Sequence, residues 1–163
     1  MKTRILISLS FLTLLFSCLK EEELSPNANM EGKWEQIFEV NGLFEGYHIL
    51  EFKQDGTFTG EMMARKLGTG EIIGYRGVFN GSYEVNGEKL TLTEEVLFTR
   101  DFDDPSILDD NVFVPKEALI PNSNTSEIYY RIANGFSELK FICPEGSEGE
   151  CIEFTTYVKV VNP

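Results

Sequence analysis

The residues of this chain that could do chemistry are few: three cysteines, one histidine and a cluster of aspartates. The aspartates are Asp101, Asp103, Asp104, Asp109 and Asp110, and Ca²⁺ takes about six to eight oxygen ligands of this kind. Their spacing lacks the Asp-x-Asp-x-Asp-Gly order and the distal Glu of an EF-hand. A solvated acidic loop is therefore favoured over a calcium site, and no metal is predicted.

His48 is the single histidine of the chain. It rules out a multi-histidine zinc site and leaves no Ser-His-Asp triad, so the favoured interpretation is a strand residue near the end of a barrel. The sequence also lacks a Gly-rich phosphate loop, a paired-carboxylate motif and a nucleophile elbow. We therefore predict no enzyme, no catalytic residues and no cofactor.

Cys143 and Cys151 flank a loop rich in Gly and Glu. Outside the cytoplasm they could form a disulfide, which would contribute about 2–3 kcal/mol by closing so short a loop. Two free cysteines are the alternative. If the pair forms, Cys18 is the cysteine left over.

The first 17 residues predict a signal peptide. Lys2 and Arg4 precede an apolar run over residues 5–16, which is shorter than the about 20 residues of a membrane-spanning helix. A buried N-terminal helix is the alternative. The abrupt change to Lys20, Glu21 and Glu22 after Cys18 argues against that helix.

Leu15, Phe16, Ser17 and Cys18 together resemble the lipobox of bacterial lipoproteins, with Phe16 departing from the usual small or aliphatic residue. The resemblance implies cleavage before Cys18 and lipidation of that residue, so that the membrane is a partner through the lipid. Several acyl chains anchor a protein firmly, whereas one holds it marginally.

Residues 18–22 also resemble the export signal of surface lipoproteins in the Bacteroidetes group, in which a Lys and acidic residues follow the lipidated Cys. For Lys20, Glu21 and Glu22 this implies outer-membrane localisation on the cell surface, with a plain solvated tether as the alternative. We predict that residues 18–30 form an acidic tether ahead of the domain over 31–163.

Alternating apolar residues and short turns predict an all-β domain after the tether. The apolar fraction of 42% is too high for a disordered chain, and a net charge of −13 argues against nucleic-acid binding. The alternation predicts eight strands, and these indicate a barrel or a sandwich. The strands are separated by turns and by a long connection over residues 100–126, which has one helical turn near Glu117. Gly77 or Gly81 should bend the long fourth strand. The predicted strands span residues 32–40, 47–53, 57–64, 72–85, 89–98, 128–133, 136–143 and 152–161.

Three segments resemble the lipocalin-like domains of many Bacteroidetes lipoproteins: residues 32–34 (Gly-Lys-Trp), residues 52–58 (Phe-Lys-Gln-Asp-Gly-Thr-Phe) and the hairpin over residues 81–93. The resemblance covers about residues 30–98 well and the remainder by strand count. It implies an eight-stranded antiparallel up-and-down β-barrel (lipocalin-like) with an interior cavity and with Trp34 closing its base. The connection over residues 100–126 departs from a simple meander.

The inward faces of the predicted strands carry the candidate ligand contacts. These are Trp34, Gln36, Phe38, Phe52, Phe58, Met62, Tyr83, Tyr130, Phe141 and Phe154. Gln36, Tyr83 and Tyr130 are the polar groups expected to orient a small apolar ligand. The alternative is a barrel filled by these side chains, which would act as a surface module for a partner protein or a glycan.

Overall fold

The computed structural model describes residues 26–101, 103, 112–122, 126–143 and 155–161. A short helix α1 and nine strands follow one another along the chain. Their bounds are α1 Pro26–Met30, β1 Gly32–Val40, β2 Phe44–Phe52, β3 Thr57–Lys66, β4 Ile72–Asn86, β5 Lys89–Thr99, β6 Ile120–Asn122, β7 Glu127–Ala133, β8 Glu138–Phe141 and β9 Thr155–Lys159. A 3₁₀ helix over Lys116–Ala118 precedes β6 and confirms the helical turn predicted there.

Eight of the strands form a closed antiparallel up-and-down barrel, which confirms the predicted fold class. Strands β1 to β5 pair in chain order, β5 pairs with β7, and β8 and β9 complete the ring. β9 then pairs with β1, where Trp34 lies opposite Lys159. Closure leaves no exposed sheet edge along the paired segments, so the backbone polar groups there are satisfied within the protein.

The two ends of the barrel differ. The base is the end with the turns at residues 53–56 and 87–88, and the rim is the end with the turns at residues 41–43 and 67–71. Several turns use Asn or Gly with positive φ, as at Asn41 (51°) and Gly42 (70°), where a left-handed backbone suits these residues. Hairpin turns of this kind connect neighbouring strands directly and fix their register.

Two irregularities in β4 and β5 bend the sheet near the predicted glycines. Met62 pairs with Gly77 and Met63 with Tyr75, so Arg76 is an extra residue in β4. Gly81 pairs with Glu94 across a similar shift in the β4–β5 register. Bulges of this type increase local twist and redirect side chains, and they confirm the bend predicted at Gly77 or Gly81.

The base of the barrel is filled by large side chains. Trp34, Phe52, Phe58, Leu50, Leu90, Leu92 and Leu139 are almost completely buried there. Trp34 packs edge-on against Phe52, with ring centroids 6.2 Å apart, as expected for its predicted role at the base. Burial of such side chains supplies the main stabilisation of a domain of this size.

The folded part begins earlier than the boundary predicted at residue 31. Met30, at the end of α1, is fully buried, and the Nε1 of Trp34 donates a hydrogen bond to its carbonyl oxygen at 3.0 Å. The segment over residues 26–30, predicted to be tether, therefore closes the base of the barrel. Sequence periodicity could not find so short a helix, since five residues make little more than one turn.

One strand lies outside the eight that were predicted. β6 falls within the long connection and pairs with the rim end of β5, where Leu97 faces Asn122. Pro121 stands in this short strand, a position that proline tolerates at a sheet edge. Within the described ranges, no helix is long and apolar enough to cross a lipid bilayer.

Candidate functional site

Four of the predicted ligand contacts belong to the packed base. Trp34, Phe52, Phe58 and Tyr83 are all buried, and their rings pack against one another. Phe52 lies 6.0 Å from Phe58 and 4.9 Å from Tyr83 between ring centroids. These side chains therefore contribute to the core of the domain, and a contact between them and a ligand stays a prediction.

The three polar side chains predicted to orient a ligand differ in their hydrogen bonding. The hydroxyl of Tyr83 donates to the carbonyl oxygen of Lys53 at 2.7 Å and so secures the β2–β3 turn at the base. Gln36 is half-buried and Tyr130 is buried. Neither side chain forms a hydrogen bond with another residue in the part of the chain that the structure describes. Gln36 and Tyr130 thus remain as polar groups of the interior.

Two residues that were not predicted from the sequence belong to the same set of interior polar side chains. Tyr157 of β9 lies beside Tyr130, with ring centroids 5.9 Å apart and an interplanar angle of 79°. Glu94 of β5 is only 8% exposed and accepts a hydrogen bond from Ser126 Oγ at 2.8 Å. Glu94 continues the alternation that turns Leu90 and Leu92 inward. That alternation is the sequence signal from which the inward position of Glu94 could have been predicted.

The charge of Glu94 affects the pKa values of the two tyrosines. Burial, with a further contribution from the Glu94 carboxylate, raises the pKa of Tyr130 far above its ordinary value. Burial, followed by the influence of Tyr130 and Glu94, does the same to the pKa of Tyr157. Both phenols are therefore neutral at physiological pH and can donate a hydrogen bond.

A second set of inward-facing side chains surrounds His48. His48 lies in the middle of β2, whereas it was predicted near the end of the barrel. The imidazole packs edge-on against Phe38, with ring centroids 5.2 Å apart. Phe38 is 38% exposed, and its ring lies over Gly46, where any Cβ atom would overlap it. Met62 is paired with His48 across β2 and β3 and is half-buried against the core.

The rim is covered in part by the segment over residues 112–118. Phe113 packs edge-on against Phe44, with ring centroids 4.9 Å apart, and Val114 exchanges two backbone hydrogen bonds with Tyr75 of β4. Arg100, which is buried, donates from Nη1 to the carbonyl oxygen of Val112 at 3.2 Å. Part of the predicted long connection is therefore packed onto the barrel.

Several predicted site residues lie outside the described part of the chain. They are Cys18, Lys20, Glu21, Glu22, Cys151 and Phe154. Cys143 follows β8 and is half-buried, and its pairing with Cys151 stays a prediction. Phe141 packs against the core and lies 6.1 Å from Tyr130 between ring centroids. In the described ranges, no group of three or more His, Cys, Asp or Glu could hold a metal ion.

Comparisons with family models, curated proteins and solved structures find no match to this chain. The candidate site therefore has to be argued from its own geometry. It consists of a filled aromatic base and a polar level, defined by the inward-facing Gln36, His48, Glu94, Tyr130 and Tyr157. Tyr130 and Tyr157 also pack in the same core cluster as the base.

His48 gives the domain a specific response to acid. Burial, assisted by the nearby Arg76, lowers the pKa of His48 from 6.5 to about 4. The unfolded chain binds this proton near pH 6.5 and the folded chain does not, so stability is complete above pH 6.5 and declines as pH falls towards 4. The loss should reach about 3 kcal/mol, with a slope of at most about 1.4 kcal/mol per pH unit.

Urea denaturation at several pH values between 7 and 4.5 measures this effect. The His48→Gln variant should lose less stability than the parent over that interval, because its side chain does not titrate. Carboxylates contribute equally to both proteins. Parallel pH profiles for the two would contradict the assignment.

Proposed function

We propose that this protein is a cell-surface lipoprotein whose lipocalin-like barrel binds a small, mainly apolar ligand above its filled base. The observation that carries the ligand proposal is the level of inward-facing polar side chains that form no hydrogen bond to other described residues. Gln36, His48, Tyr130 and Tyr157 belong to it. Tyr130 and Tyr157 are buried, whereas Gln36 and His48 are half-buried. Polar groups of a protein interior normally have a hydrogen-bonding partner, so this set fits contact with a bound molecule or with water.

Aromatic and sulfur-containing side chains supply the apolar surroundings of this level. Phe38 and Met62 lie on the side of His48, and Phe141 lies beside Tyr130. Ligand sites commonly combine an apolar lining with a few polar groups that fix orientation. We infer that the ligand's apolar body contacts these side chains while the polar groups select its orientation.

The position of the N-terminus fits an anchored binder. α1 closes the base, where Lys159 Nζ also donates to the carbonyl oxygen of Asn29 at 2.7 Å. The proposed anchor at Cys18 therefore joins the domain at the base, and the rim lies at the opposite end of the barrel. A ligand entering at the rim would come from the surroundings of the cell rather than from the supporting membrane.

The test is binding of an apolar fluorescent probe, Nile red, to the purified domain with and without an obstruction in the interior. Gln36→Phe should lower the affinity at least tenfold, because a bulky ring would occupy the proposed binding space. Ile37→Phe is the matched control, since the neighbouring Ile37 is 53% exposed on the outer face of the same strand. Thermal unfolding checks that both variants fold.

Saturable binding by the parent, lost in Gln36→Phe and kept in Ile37→Phe, supports the proposal. Absence of saturable binding by the parent, or equal affinity of the two variants, contradicts it. Organic extraction of the protein purified from its own host, followed by mass spectrometry, would then identify the natural ligand.

A second candidate function is a surface interaction module, favoured by apolar side chains on the rim. Leu43 is 64% exposed in the β1–β2 turn, and Leu67 is 39% exposed in the β3–β4 turn. The two turns are neighbours, because Phe44 pairs with Lys66. Exposed apolar side chains in adjacent turns are typical of contact sites for a protein partner.

A further inference from the structure

Glu94 is a buried carboxylate for which the described structure offers no positive counter-charge. Its side chain accepts one hydrogen bond, from Ser126 Oγ at 2.8 Å. Among the residues that the structure describes, no Lys, Arg or His lies within salt-bridge distance of it. A carboxylate taken out of water is costly unless it is paired, so this arrangement favours a cation supplied from outside the chain.

The local fold fixes Glu94 on the inner wall. Gly81 lies opposite it in β4, and the backbone N–H of Glu94 donates to the carbonyl oxygen of Ser126 at 3.0 Å. The following residue, Glu95, points outward, where its carboxylate accepts a hydrogen bond from Ser82 at 2.9 Å. Strand alternation therefore places the two adjacent acidic residues on opposite faces of the sheet, Glu94 towards the interior and Glu95 towards solvent.

Two aromatic rings are near enough to Glu94 for its charge to contribute to the raised pKa values of Tyr130 and Tyr157. Tyr130 lies between Tyr157 and Phe141, with ring centroids 5.9 Å and 6.1 Å away, and both contacts are edge-on. An edge-on arrangement turns some ring faces away from the neighbouring ring. The face of an aromatic ring attracts a cation, and the attraction is strongest where water is excluded.

The charges elsewhere in the protein agree with a cationic ligand. The chain carries a formal net charge of −13, and an acidic surface raises the local concentration of cations. Arg76, near the start of β4, and Arg100, just beyond the end of β5, lie towards the rim, and neither forms a salt bridge with Glu94.

We propose that the interior site takes an organic cation, a small amine with an apolar body, whose ammonium group contacts Glu94 and the rings of Tyr130 and Tyr157. This inference rests on the proposed binding function and adds the chemical class of the ligand. The ammonium donates hydrogen bonds to the free carboxylate oxygen and to the phenol oxygens, which can also accept. The apolar body extends towards Phe38 and Met62.

Three probes of equal chain length and different head charge test the class: decylamine, decanol and decanoate, measured by calorimetry on the full domain at pH 7. We expect decylamine to bind about ten- to a hundredfold more tightly than decanol, the range given by a charge-assisted hydrogen bond and a cation–π contact. Decanoate should bind more weakly than decanol, because its charge repels Glu94.

Variants of the protein test which residue causes the preference for the amine. Glu94→Gln should bring the affinity for decylamine down to that of the same variant for decanol. Glu95→Gln is the matched control, since its carboxylate faces solvent, and should retain the preference for the amine. Should Glu94→Gln fail to fold, Tyr157→Phe provides a second variant that should reduce the preference severalfold.

The outcomes separate this inference from the function on which it rests. Binding of decanol with equal or tighter affinity than decylamine overturns the cation inference and leaves an apolar ligand site in place. An amine preference that survives in Glu94→Gln also overturns it. Absence of binding by all three probes overturns both the inference and the proposed function.

Discussion

Replacement of Gly81 by alanine is expected to lower the free energy of unfolding by about 3 kcal/mol, the upper part of the range for overpacked positions. A Cβ atom at this buried position would overlap the carbonyl oxygen of Thr93 and would stand 3.1 Å from the Cα of Glu94. Both obstacles are backbone atoms of the neighbouring strand, so no side-chain rotation can relieve them. β4 and β5 would have to separate where the barrel bends.

Two neighbouring substitutions calibrate this result. Gly77→Ala should cost about 1 kcal/mol, because the added atom meets the flexible end of Met62 at 3.0 Å and the carbonyl oxygen of Phe98 at 3.1 Å. Asn80→Ala, at an exposed position in the same strand, should change stability by less than about 0.5 kcal/mol. Urea denaturation followed by circular dichroism measures all three. A Gly81→Ala protein as stable as Asn80→Ala would contradict the packing argument.

Replacement of Cys18 by alanine is expected to release the protein from the membrane completely, because the proposed lipid is its anchor. Removal of several acyl chains eliminates about 0.8 kcal/mol of membrane affinity for each buried methylene group. Detergent phase partitioning of the full chain, expressed in a bacterium with an outer membrane, measures the change. The parent should enter the detergent phase, and Cys18→Ala should remain in the aqueous phase.

A control variant distinguishes anchoring from sorting. Changing Lys20, Glu21 and Glu22 together to alanine should preserve the lipid, detected by the mass of the purified protein, but should prevent digestion by protease added to whole cells. This comparison requires a host that exports such lipoproteins to its surface. A parent protein without added lipid mass would contradict the anchor, and unchanged protease sensitivity of the triple variant would contradict the surface signal.

Most of the barrel was predictable because its signals are local. Alternating apolar residues mark the inward faces, and Asn-Gly or Asp-Gly pairs stand at the turns, where Asn134 and Gly135 have φ values of 50° and 63°. Each of these signals is contained within a few residues. β6 was missed because it forms only through its pairing with β5, and Pro121 argues against a strand when it is considered alone.

The site was less predictable than the fold, since an inward aromatic residue looks the same whether it fills the core or lines a ligand site. Phe52 and Phe38 both alternate inward, yet the first is buried in the base and the second is over one-third exposed beside His48. Glu94 escaped notice because a charged residue ordinarily indicates the solvent side of a strand. Its burial also depends on its neighbours in the closed barrel, Gly81 of β4 and Ser126, which is a tertiary effect.

The pairing of the first and last strands has a consequence for how the domain folds. The chain segments that meet there are distant in sequence: the hydrogen bond from Lys159 to Asn29 spans 130 residues. Contacts of such high sequence separation form slowly, because a long stretch of chain must be ordered before they stabilise the structure. The barrel therefore cannot close during synthesis until its C-terminal strand has emerged, and Trp34 gains the cover of β9 only at that final step.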